Sequence, residues 1–160
     1  MCALAYLFPG QGSQRVGMGR ALYESSPAAR SLFHRAEALL DFPLVTLCFE
    51  GPEAVLTETR YAQPALLVTS LALWEWARSL GAPAPAYFAG HSLGHFSALT
   101  AAGAVDFEDA LQLVRARAEA MQRAAQHHAG GMAAVIRLAR PELEQVCRQA
   151  SAETGAYVGI

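Results

Sequence analysis

Cysteine is scarce in this 160-residue chain: Cys2, Cys48 and Cys147 are odd in number and widely spaced. That spacing argues against a disulfide framework or a zinc cluster, and for a reducing compartment in which the thiols are structural. Runs of lysine or arginine are missing as well. Twelve basic side chains face fourteen acidic ones, for a net charge of −2 and a pI near 6.2, so neither nucleic acid nor an anionic membrane is implied as a partner. No stretch reaches membrane-spanning length. The opening residues, Met1 to Phe8, lack a basic n-region and close at Pro9-Gly10, which reads as a first strand and not a signal peptide. A cytoplasmic location is the expectation. Charge is sparse at 16%, beside a hydrophobic content of 53%. That is the composition of one soluble domain with a generous core, too apolar for disorder.

What is present is organised around Tyr87-Phe88-Ala89-Gly90-His91-Ser92-Leu93-Gly94-His95-Phe96-Ser97-Ala98-Leu99. A short apolar run passes through Gly-x-Ser-x-Gly into an alanine-rich segment of helical character. This is the strand, sharp turn and helix of a nucleophile elbow, which presents a serine hydroxyl at its tip. Gly90 and Gly94 flank a turn too tight for neighbouring Cβ atoms, so Ser92 is held with its Oγ clear of the sheet and its amide near a helix N-terminus.

Ala3 to Phe8 is a continuous apolar run, the form of a strand with both faces covered by helices. Beyond it, Pro9-Gly10-Gln11-Gly12-Ser13-Gln14 reads either as a turn with polar filling or as a loop whose backbone and amide groups approach a ligand closely. Ser26-Pro27 opens a helix as N-cap and first helical residue, with Leu32, Phe33, Ala36, Leu39 and Leu40 on its apolar face and His34 at the surface. Pro43 to Phe49 is a further helical turn, and Gly51-Pro52 is punctuation. The segment from Ala62-Gln63-Pro64 to Leu80 is apolar nearly all round, as in a helix buried on most sides.

Asp106, with Asp109 three residues on, starts a helix with its stripe at Ala110, Leu111, Val114, Ala118, Met121 and Ala125. Arg117 falls at the edge of that stripe, whereas Arg115 and Arg123 point more outward. A partly desolvated guanidinium needs an anion, because an unpaired buried charge costs several kcal/mol. Glu119 lies on another face, so the anion is either a distant carboxylate or a bound ligand. The adjacent His127 and His128 have no third ligand at chelating spacing and do not define a metal site. Past Gly131 the pattern changes: Ala133 to Leu138 reads as a strand, Arg140 to Ala150 as a helix with Leu143, Val146 and Cys147 inward, and Ala156 to Ile160 as a second strand. A β-α-β unit this small buries little by itself, and its natural completion is more sequence.

Four motifs in order, Phe-Pro-Gly-Gln-Gly-Ser-Gln at 8 to 14, Ala-Gln-Pro-Ala-Leu at 62 to 66, Gly-His-Ser-Leu-Gly at 90 to 94 and Arg-Ala-Glu-Ala-Met-Gln at 117 to 122, resemble the malonyl-CoA:acyl carrier protein transacylase family of fatty-acid and polyketide synthesis. The resemblance covers the whole chain, though members are roughly twice its length. It implies an α/β fold: a hydrolase-like core with a parallel sheet, residues 1–128 being its N-terminal part, and in 129–160 the beginning of a ferredoxin-like subdomain. It implies Ser92 as the nucleophile that takes an acyl group from coenzyme A and passes it to the phosphopantetheine thiol of an acyl carrier protein. The amides of Gln11 and Leu93 would form the oxyanion hole, where one lost donor costs about 3 kcal/mol. Arg117 would pair with the free carboxylate of a malonyl-type substrate, Gln63 would lie near the site, and His91 would support the pocket. No cofactor and no metal are implied beyond the coenzyme A thioester itself.

Two departures matter. His95 stands where the family usually has glutamate, and the family's general-base histidine falls past residue 160. Serine without a base is a poor nucleophile at neutral pH, and His95, His127 and His128 are the substitutes within the chain. Three readings follow: the N-terminal half of a malonyl-type acyltransferase needing a complementary C-terminal fragment, an acyl-thioester hydrolase of related fold, and a non-catalytic partial domain that docks a carrier protein. Arg117 speaks against the hydrolase, since a site for simple acyl chains needs no buried cation.

Overall fold

Parallel strands need a long crossover, and here five helices lie between the two that pair. The computed structural model describes residues 3–127, 131 and 133–160, in two units, Met1–His128 and Ala129–Ile160. In the first, β1 (Ala5–Phe8) leads to α1 (Arg20–Ser25), α2 (Pro27–Leu39), α3 (Leu44–Glu50), α4 (Glu53–Leu56) and α5 (Thr59–Ser79). There follow β2 (Tyr87–Gly90), α6 (Gly94–Ala101) and α7 (Phe107–His127). β1 and β2 are parallel and in register from Ala5 opposite Tyr87 to Phe8 opposite Gly90.

The helix α5 is the axis of the core. Its residues Ala62 to Val68 are buried without interruption, and α2 and α7 pack against it through Leu32, Phe33 and Ala36 and through Ala110, Leu111 and Val114. The helix begins three residues before the expected start and carries Pro64 within it; Leu73 is its exposed apolar residue. Ser26 caps α2 as expected, its Oγ accepting the Ala29 amide at 3.2 Å. On α7 the stripe is buried as far as Ala118, Met121 is half-buried and Ala125 is exposed.

The sheet corrects one expectation. β1 starts at Ala5 and is covered on one face only: Tyr6 and Phe8 pack with Phe88, Trp74 and Ala98, with Tyr6 and Trp74 ring centroids 4.8 Å apart. The other face carries Ala5, Leu7, Tyr87 and Ala89, and Leu7 and Tyr87 are 76% and 66% exposed. The continuous apolar run is that of a doubly covered strand, but among the described residues no helix lies over its second face.

In the second unit, α8 (Arg140–Thr154) forms where the sequence places a helix and ends at Gly155 in the left-handed region, φ 70°. Cys147 is buried in it, Leu143 is half-buried and Val146 is exposed. The strands expected over 133–138 and 156–160 are not formed. Two short segments and one helix have no sheet to join, and the tail instead turns back on α8, where the Val158 amide donates to Ser151 Oγ at 2.9 Å.

Candidate active site

The turn between β2 and α6 is built by close backbone approach. A Cβ on Gly90 would overlap the Gly94 carbonyl, and one on Gly94 would overlap the Phe8 carbonyl at the end of β1. Between them Ser92 has φ 51°, a left-handed conformation that costs a non-glycine residue on the order of 1–3 kcal/mol and marks functional turns. Its side is exposed while Leu93 behind it is fully buried. The loop after β1 is pinned beside this turn. The His91 amide donates to Phe8 O at 3.1 Å, and a Cβ on Gly10 would come within 2.7 Å of both His91 Nδ1 and its carbonyl oxygen. Gln11 and Leu93 are thus brought to neighbouring segments, and neither backbone amide donates to an acceptor among the described residues.

Arg117 reaches this turn from α7. Its Nη2 donates to Ser92 Oγ at 3.1 Å and its Nη1 to Gln63 Oε1 at 2.6 Å, with the guanidinium carbon 5.9 Å from the Phe96 ring centroid. Gln63 is fully buried; its Nε2 donates to Gln11 Oε1 at 3.2 Å and lies 3.3 Å from Met121 Sδ. Gln11 Nε2 in turn donates to Thr59 Oγ1 at 3.1 Å. Ser92, Arg117, Gln63, His91 and Gln11 therefore converge from four segments. No carboxylate lies within ion-pair reach of Arg117 among the described residues, whereas Arg115, two residues away, meets Glu119 at 3.0 Å and Asp41 at 3.6 Å. Those partners hold the Arg115 guanidinium above its ordinary range, the Glu119 hydrogen bond contributing most. Arg115 is therefore less outward than its place on the wheel suggests: its side chain is one-third exposed.

Two members of the cluster, Thr59 and Met121, carry no sequence signal for this role. Each lies four residues from a recognised one, Gln63 and Arg117, and so on the same helix face. Of the histidines offered as substitute bases, neither His95 nor His127 is bonded to the serine. Ser92 Oγ takes its hydrogen bond from Arg117, His95 and His127 are exposed without a bond to it, and His128 lies outside the described residues. A guanidinium donates and cannot accept a proton, so it positions or neutralises and does not act as a base. Among the described residues no group of three or more metal-ligating side chains is assembled, and no helix is long and apolar enough to cross a membrane.

A serine on a strained strand-to-helix turn, beside a cation without a carboxylate, is an arrangement suited to acyl transfer. Residues 5–157 match the Acyl transferase domain family, and the chain belongs to it. Among relatives, the malonyl CoA-acyl carrier protein transacylase of Bacillus subtilis (strain 168) is 48% identical over 153 residues, which are 96% of this chain and 48% of that protein. The crystal structure of the acyl-carrier-protein-S-malonyltransferase from Bartonella henselae superposes with a TM-score of 0.84 at 39% identity, over 95% of this chain and 49% of that one. A malonyl-transacylase in complex with its type II PKS acyl-carrier protein gives 0.82 at 36% identity, over 95% and 49%. The chain spans about half the length of the relatives it matches. These structures share its α/β character.

Proposed function

We propose that this chain contributes the nucleophile and substrate-orienting groups of an acyltransferase that moves a malonyl-type group from coenzyme A to the phosphopantetheine thiol of an acyl carrier protein. The strand-turn-helix at Ser92 is the nucleophile elbow of a hydrolase-like core. Residues 1–128 are the first part of that core, and 129–160 begin the small subdomain. Ser92 Oγ attacks the thioester carbonyl, the amides of Gln11 and Leu93 take the oxyanion, and the coenzyme A thiolate leaves, giving an acyl-serine ester. The carrier thiol then attacks that ester by the reverse route. His91 holds the Gln11 loop against the elbow. The carrier as partner rests on the complex formed by the similar malonyl-transacylase.

The observation that carries this reading is the 3.1 Å contact between Arg117 and Ser92 Oγ, together with the lack of a carboxylate on Arg117 among the described residues. The anion that the guanidinium lacks is the substrate's own carboxylate, held next to the atom that attacks its thioester, and bidentate pairing favours malonyl over acetyl. The proton leaving Ser92 needs an acceptor, and neither His95 nor His127 bonds to Ser92 Oγ in the described structure. We assign that base to a complementary C-terminal segment. A non-catalytic, carrier-docking role draws on the same observation. Intact-protein mass spectrometry after incubation with malonyl-CoA, with and without the complementary half in trans, separates the two. A malonyl adduct at Ser92, absent in Ser92→Ala, supports transfer. No adduct in the folded pair overturns it.

A further inference from the structure

The side-chain chain that ends on Arg117 does not stop at the reacting groups. It runs Arg117 to Gln63 to Gln11 to Thr59, and every hydrogen bond in it points the same way, donor toward Thr59. That polarity has a single physical origin. The guanidinium has donors and no acceptor, so Gln63 must turn its oxygen to Arg117; its nitrogen then faces Gln11, which must present its own oxygen and send its nitrogen outward. Thr59, the first residue of α5, closes the sequence as acceptor at 3.1 Å. Gln63 is fully buried, so within this row an amide turned the wrong way sets donor against donor with no water to relieve it. Gln11 is exposed, and it is the one amide in the row with freedom to turn.

We propose that Thr59 is a positioning residue: its hydroxyl, fixed on the first turn of α5, locks the Gln11 amide and through Gln63 holds the Arg117 guanidinium aimed at Ser92. Water could accept from Gln11 Nε2 in its place, but a water is free to move and to donate instead, whereas a hydroxyl carried on the first turn of α5 stays where the helix puts it. Thr59 does not touch the reacting atoms. It ties the loop bearing Gln11 to the helix bearing Gln63, so two groups that must meet one substrate are held at a fixed separation. That consequence rests on the reading of Arg117 as the partner of the substrate carboxylate.

The test is side-chain NMR of the full chain, following the guanidinium of Arg117 and the amides of Gln11 and Gln63 in wild type, Thr59→Ser and Thr59→Val. The hydroxyl-bearing Thr59→Ser should keep all three signatures. Thr59→Val keeps the shape and loses the acceptor; it should shift Gln63 and Arg117 as well as Gln11, speed exchange of the Gln63 amide protons, and merge the separate Nη resonances of Arg117, with the melting temperature little changed. Thr59→Ala serves as a second hydroxyl-free variant if valine perturbs the helix start. Shifts confined to Gln11, or equal shifts in Thr59→Ser and Thr59→Val, overturn the proposal. Titrating wild type with malonyl-CoA tests the underlying reading separately: shifts that travel from Thr59 to Arg117 while malonyl-CoA leaves Arg117 unmoved would support the relay and remove the carboxylate assignment.

Discussion

The helical side of the first unit and the end where its strands stop differ in completeness. Around α5 the apolar side chains facing the core are packed, and Leu67, Phe33, Leu111 and Val114 are fully buried. On the strand side Leu7 and Tyr87 are bare, and Arg117 and Ser92 bond to each other with no carboxylate or histidine ring bonded to either among the described residues. Composition does not separate the regions, since the open face is as apolar as the closed one. Partners do. The body of the fold is satisfied by groups this chain supplies, and the chemistry is placed where it is not.

The largest expected effect therefore lies on the closed side. Leu67→Ala removes a fully buried side chain between α5 and its neighbours and should lower stability by about 2–5 kcal/mol, the range for leucine truncation in a packed core. Urea denaturation measures it. A loss below about 1 kcal/mol would mean that the helical side is looser than its burial shows.

On the open side the comparison narrows to two arginines of α7. With the complementary half present, Arg117→Ala should reduce malonyl loading of Ser92 relative to acetyl by roughly ten- to a hundredfold, the worth of a hydrogen bond to a charged group at about 1.5–3 kcal/mol. Arg115→Ala should leave the ratio unchanged, because Asp41 and Glu119 already neutralise that guanidinium. Equal effects of the two variants would erase the distinction between them.

How much of this was legible beforehand differs between the same two regions. The Gly90-Ser92-Gly94 turn was readable because glycine is demanded by backbone overlap, and the Ser26 cap because its chemistry is local. The partial burial of Arg117 followed from its place beside Val114 and Ala118. The outer sheet face was misread because an apolar run reports what a strand is made to meet, not whether the cover is present. The strands at 133–138 and 156–160 were misread for a related reason: strand propensity is expressed only when a sheet exists to pair with. Thr59 was passed over because its role depends on Gln11, 48 residues away in sequence.

A smaller effect concerns Cys48, buried on α3 with Glu37 nearby; burial first, and that carboxylate second, push its thiol up to about 12 from an ordinary 9.0. Unfolded chains release this proton above the ordinary value while the native state keeps it. The contribution to stability is thus full below that value and lost as pH rises toward the native one. The first pH unit of that window should cost about 1 kcal/mol. Urea midpoints compared on either side of pH 9 should fall on the alkaline side, and less steeply in Cys48→Ala. The same slope in both proteins would place its origin elsewhere.

The smallest expected change in stability sharpens the comparison most. Leu7→Ser alters the same residue type as Leu67→Ala, but on the face of β1 that no described helix covers, so little apolar area returns to water on unfolding. Stability should stay within about 0.5 kcal/mol of wild type, as for surface positions generally. The effect belongs instead to association. A short parallel pair with bare apolar side chains and a free strand edge is a template for pairing with other chains, so Leu7→Ser should lower self-association in sedimentation velocity while leaving the melting curve in place. If it melted the protein as Leu67→Ala does, the outer face would have to be buried in solution. A segment of this chain or a second copy would then be its cover, and a concentration dependence of the melting temperature would tell which.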